Sequence, residues 1–142
     1  MRAIHRAVGA IAIVLLAGCG NDNSTSPKTI AGTYTLNTVG GQGLPAVVYS
    51  ETNYTLEVTG GAVSLNSDGT FSDTYTLREN DAGTVNTATI PCTGVWTQSG
   101  NNISLTETTT ADCGDTGDGT WDGSNTVTID WGSLGVPAVH KR

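Results

Sequence analysis

Past residue 30 the chain alternates. In "GTYTLNTV" (32–39), Tyr34 and Leu36 stand between Thr33, Thr35 and Asn37, and in "NYTLEV" (53–58), Tyr54, Leu56 and Val58 alternate with Thr55 and Glu57. A period of two puts every second side chain on one face of an extended backbone, so each segment predicts a strand with one face for a core and one for water. "LPAVVYS" (44–50) predicts another, with Pro45 at its start, where a missing N–H harms a ladder least. No segment of this region keeps a helical period.

Turn residues divide the alternation into hairpins. Gly60-Gly61 reads as a break, after which Val63 and Leu65 lead into a turn at Asn66-Ser67-Asp68-Gly69, and Phe71, Tyr75 and Leu77 return. "ENDAGTVN" (79–86) predicts a loop. "TATIPCTGVWTQ" (87–98) and "NNISLTET" (101–108) form a second hairpin, and "GTWDGSNTVTIDW" (119–131) a third. The stretches at 94–107 and 119–130 share one order: glycine, any residue, tryptophan, polar turn, alternating apolar residues. Such recurrence fits consecutive strands meandering round one core. The pattern predicts an all-β domain, an antiparallel meander of about eight strands. Closure into a barrel is favoured over an immunoglobulin-like sandwich, because Trp96 follows Cys92 by only four residues.

The amino-terminal end is different. Arg2, His5 and Arg6 precede an apolar run, residues 7–17, that ends on small residues before Cys19. A membrane-spanning helix needs about 20 apolar residues, so this shorter run reads as a cleaved secretory signal, residues 1–18. Leu16-Ala17-Gly18-Cys19 resembles the lipobox of bacterial lipoproteins at all four positions. That resemblance implies acylation of Cys19, palmitate included, and a membrane anchor in the cell envelope. Gly20 in place of aspartate directs the expectation to the outer membrane or cell surface. Burial of acyl chains is worth about 0.8 kcal/mol per CH₂, so several chains hold a domain durably. The polar stretch after the cysteine buries nothing, so residues 19–29 read as lipidated cysteine and flexible tether. The domain is then 30–136, and 137–142 a carboxy-terminal tail.

Charge narrows the partners. Loss of residues 1–18 leaves Lys28, Arg78, Lys141 and Arg142 against all 13 acids, a formal charge of −9. Such a surface repels phosphate backbones, which argues against nucleic acid. With Cys19 acylated, Cys92 and Cys113 remain, an even pair that predicts one disulfide in an oxidising compartment.

Candidate chemistry is sparse. The mature chain has one histidine, His140, near its end where fraying is expected, and no phosphate loop or zinc-protease motif occurs. The expectation is that the protein is no enzyme and carries no resident cofactor. "DCGDTGDGTWDG" gathers Asp112, Asp115, Asp118 and Asp122, and hard cations take several carboxylate oxygens. Calcium is therefore the candidate ion, against a plain reading in which Asp and Gly shape turns. Tyr34, Tyr54, Phe71, Tyr75, Trp96, Trp121 and Trp131 fall mostly on the apolar sides of their strands. They either fill a barrel or line a pocket for one small ligand.

"AGTYTLNTVGGQGLP" (31–45), "LNSDGTF" (65–71), "GVW…NNISL" and "GTW…NTVTI" resemble the lipocalin-like domains of small bacterial lipoproteins, with Tyr34 where lipocalins carry a tryptophan. The resemblance implies an eight-stranded antiparallel barrel or half-open calycin-like sheet. Two functions follow as expectations: binding of a small apolar ligand by the barrel, or a structural or interaction role, as inhibitor or accessory subunit of an envelope protein, with a filled core.

Overall fold

The computed structural model describes residues 29–109, 113, 117–131 and 135–142. Residues 1–28, with the signal, the lipobox and most of the tether, lie outside it, as do Asp112 and Asp115.

Among the described residues the protein is all β and has no helix. Its ten strands are β1 (Gly32–Val39), β2 (Gln42–Gly43), β3 (Ala46–Glu51), β4 (Tyr54–Leu65), β5 (Thr70–Asp81), β6 (Thr84–Ser99), β7 (Asn102–Glu107), β8 (Asp118–Trp121), β9 (Thr126–Trp131) and β10 (Val136–Lys141). From β4 to β10 each strand pairs antiparallel with the next. β1 closes the ring, pairing with β10 on one side and with β4 on the other. An eight-stranded barrel results, and β2 and β3 lie outside its ring.

The alternation legible in the sequence sets the two surfaces. On β1, Tyr34 and Leu36 are buried while Thr33, Thr35 and Asn37 are exposed; on β9, Val127, Ile129 and Trp131 point inward. Apolar inside and polar outside is the reverse of a barrel that spans a membrane with its strands.

Several boundaries differ from the sequence reading. Gly60-Gly61 is no break: β4 runs through it as one strand of 12 residues, with a register shift between Val58 and Gly60. A Cβ at Gly61 would lie 2.7 Å from the Thr74 carbonyl oxygen, so the side-chain-free position lets β5 approach. At this bend β4 exchanges neighbours, pairing with β3 through Tyr54–Val58 and with β1 through Ala62–Leu65. Residues 79–86 are likewise no loop. β5 continues to Asp81, Ala82-Gly83 turns, and β6 begins at Thr84. Here both faces of the hairpin meet water, so the alternation that marks a strand is missing. Residues 137–142 are no tail: β10 occupies all of them but Arg142, bonded to β9 and β1, with Ala138 and His140 buried. Counting His140 as polar hid the inward period Ala138, His140.

β4, β5 and β6 thus overrun the ring. With β3 they form a four-stranded sheet projecting from the barrel at the end of Asn53 and Ala82-Gly83. The opposite end holds Thr29, the Asn66–Gly69 turn and Arg142.

Candidate functional site

Among the described residues, polar groups gather at both ends of the barrel.

At the end where residue 29 enters, the chain termini of the domain are stitched together. The Arg142 guanidinium donates to the carbonyls of Ala31 (3.0 Å), Thr29 (2.7 Å) and Ser124 (3.1 Å), and its charge lies 4.9 Å over the Tyr34 ring. Tyr34 is fully buried and donates its hydroxyl to the Ile30 carbonyl at 2.6 Å. Burial pushes its pKa up, and Arg142 opposes that. His140 is fully buried next to this end, cross-strand from Leu36 and Val127. Neither ring nitrogen has a partner of good hydrogen-bond geometry, and burial lowers its pKa to about 4, with the Ala138 backbone opposing. The ring is held neutral at physiological pH. Among the described residues no carboxylate bonds to it. The expected fraying of His140 is corrected by its place in a closed ladder.

At the barrel's other mouth, Cys92 and Cys113 form the expected disulfide, with a Cα–Cα distance of 5.7 Å. Asp73 stands opposite Cys92 and Val63 and points inward with them. One carboxyl oxygen is buried without a partner, and burial, helped by the neighbouring Glu107, raises its pKa to about 7. The Tyr75 hydroxyl donates to the Cys113 carbonyl at 3.0 Å, and its ring lies 5.3 Å from that of Trp131. The Cys92 and Cys113 sulfurs and a Glu107 oxygen lie within 4.8 Å of one another. Both sulfurs are committed to the bridge, so neither is a thiolate ligand.

The seven aromatic candidates divide. Tyr34, Phe71, Trp121 and Trp131 are buried in one continuous cluster with Leu36, Leu65, Leu105, Val127 and Ile129, and Tyr75 and Trp96 pack against it. Trp96 is anchored by its indole N–H donating to the Asn66 carbonyl at 3.0 Å. Tyr54 belongs to the projecting sheet, edge-on to Tyr49. The rings therefore meet one another and the aliphatic core. Among the described residues, one cleft of about 380 Å³ lies on the outer wall between Ser99, Asn102, Thr120 and Asp130, one of about 430 Å³ lies at the tip of the projecting sheet, where Tyr54 lines it, and one of about 190 Å³ lies beside Leu56, Leu77 and Ala88.

Of the four aspartates singled out for calcium, Asp112 and Asp115 lie outside the described residues. Asp118 is exposed on β8, and Asp122 shapes the following turn, accepting from the Ser124 and Thr126 amides at 2.8 and 3.0 Å. Those bonds hold the Asp122 carboxyl below its ordinary pKa. Four positions of nearly extended chain separate the two by roughly 13 Å, too far to share an ion.

Sequence reasoning passed over Asp73 and Glu107, and missed that His140 is buried. Asp73 carried a signal, since it occupies the inward register of Phe71, Tyr75 and Leu77. The hairpin at residues 79–86 left none, because strands wet on both faces do not alternate.

Compared with known proteins, the chain matches no family model and no curated sequence.

Proposed function

We propose that this is a lipid-anchored protein of the bacterial cell envelope whose barrel is a solid, non-enzymatic scaffold for interaction. The observation that carries this reading is the occupancy of the interior. Inward positions of the ring are taken by large side chains, among them Tyr34, Leu65, Phe71, Trp121, Val127 and His140, each 9 % exposed or less. A carrier of apolar ligands needs an interior void of a few hundred Å³; among the described residues, clefts of that size lie on the outer wall and at the sheet tip, away from the ring's interior.

The arrangement of the ends supports the same reading. The segment preceding residue 29, which carries Cys19, enters at the Arg142 end, and the projecting sheet leaves from the opposite one. Twelve residues of β4 span roughly 35 Å at strand rise. A lipid on Cys19 would hold the barrel by one end and present the β3–β6 sheet away from that membrane.

The test is titration of a naphthylamine probe and of a long-chain fatty acid into the folded full chain, followed by tryptophan emission. A solid scaffold gives no saturable change. Saturable binding at one molecule per barrel overturns the reading in favour of ligand carriage.

A further inference from the structure

The projecting sheet has two outer edges, and they are built differently. The β3 edge is short, six residues, is broken by a register shift between Val47 and Tyr49, and ends on Glu51. Short length, a bulge and a charge are devices by which natural sheets keep an edge from pairing with another chain. β6 lacks them. It is the longest strand, 16 residues with no charged side chain. Its β7 ladder runs only from Gly94 to Ser99, so among the described residues its amino-terminal half pairs with β5 alone. Residues 84–89 are all exposed, Val85 at 57 %.

Backbone direction along β6 is fixed by two bonds. The Trp96 amide reaches the Gly69 carbonyl, on the β5 side, and the Thr93 carbonyl accepts from Thr108, on the other. Even positions therefore bond toward β5 and odd positions face the open edge. Val85, Thr87 and Thr89 present three amides and three carbonyls outward. Pro91, the next odd position, has no amide to offer and ends the window.

We propose that this window, residues 84–90, is a self-association edge at which a second copy of the chain adds its own β6 antiparallel about a two-fold axis through Thr87. Placing Thr87 opposite Thr87 sets Val85 opposite Thr89 twice, so all six outward groups pair across the axis. Charge selects the occupant. A mature chain of −9 repels its copies over most of its surface, and this uncharged strand is where two copies meet without like charges opposed. The pairing is a small interface and weak in dilute solution. It gains from confinement of tethered copies on one membrane, and in this respect it rests on the proposed anchoring.

The test is disulfide trapping in membranes of cells expressing the full chain. Paired residues of this type sit about 5.5 Å apart between Cα atoms, within reach of a disulfide. Thr87→Cys is expected to give a covalent dimer on mild oxidation. Val85→Cys alone is not, whereas co-expressed Val85→Cys and Thr89→Cys chains link to each other. Adding Val85→Lys to Thr87→Cys is expected to lower the dimer yield at least tenfold. Absence of the Thr87→Cys dimer, or equal linking by Val85→Cys alone, overturns the proposal. Both positions are exposed and outside the core, and unchanged circular dichroism checks the fold. Sedimentation of the chain with the membrane fraction reads the anchor separately, so failure of anchoring and failure of edge pairing are distinct results.

Discussion

Asp73 on β5 stands directly across from Cys92 on β6, so a carboxyl group faces into the barrel beside the disulfide rather than into water. Burial sets its pKa at about 7, and the same cause, acting on a base, sets that of His140 at about 4. The two groups penalise the fold in opposite directions of pH.

The signs can be followed through the proton balance. Between about pH 4 and 7 the unfolded chain has released the Asp73 proton and the native one has kept it, so this group lowers stability as pH rises. Between about pH 6.5 and 4 the unfolded chain protonates His140 and the native one does not, so that group lowers stability as pH falls. Each effect is on the order of a few kcal/mol, and over the shared window they offset. Urea midpoints of the wild type are expected to change little from pH 4.5 to 6.5. Asp73→Asn should then gain stability as pH rises over this range, and His140→Leu should lose it. Parallel pH profiles for the two variants would contradict the assignment.

Gly94 lies between Phe71 and Glu107 across three strands. A Cβ there would collide with the Thr106 carbonyl oxygen and reach within 2.5 Å of the Phe71 ring, whereas one at Gly60 meets nothing within 4 Å. Gly94→Ala is expected to cost about 3 kcal/mol, since overpacked backbone cannot yield. Gly60→Ala should change stability by less than about 0.5 kcal/mol. Denaturant unfolding of the pair checks the contrast, and equal effects would mean the strands are not packed as described.

Removal of residues 137–142 takes away β10, which bonds to strands on both sides, and two inward side chains. The truncated chain is expected not to fold, by near-ultraviolet circular dichroism. Arg142→Ala, a milder change, removes three hydrogen bonds to carbonyls and the contact with Tyr34, for a loss of about 1 kcal/mol. A truncated chain as stable as the whole would refute closure through β10.

The bridge closes a segment of 21 positions. Cys92→Ser and Cys113→Ser should each lower stability by about 3 kcal/mol and leave the other thiol open to alkylation. Unequal losses would show that one sulfur has a packing role beyond the bridge.

The ring itself was legible in the sequence because its strands have one wet face. Tyr34 and Leu36, or Val127, Ile129 and Trp131, mark their strands by period alone, and the turn at Asn66–Gly69 marks its hairpin. What was hidden had a physical reason in each case. Gly60-Gly61 reads as an ending when it is a bend, since glycine serves both. The start of β6, residues 84–86, has no core to face, so Thr, Val and Asn follow one another without period. His140 is a polar residue in an apolar register, and only the ladder with Val127 shows which way it points. Of the candidate site residues, the disulfide pair was fully legible and the aromatics legible as an inward set, Tyr54 excepted.

Native mass spectrometry of the full chain, extracted from its own membranes and released from detergent, tests the solid, anchored scaffold most directly. The expected species begins at an acylated Cys19, carries one disulfide and holds no small molecule. A barrel that retains one apolar ligand through gentle activation, or a chain whose Cys19 is unmodified, would contradict it.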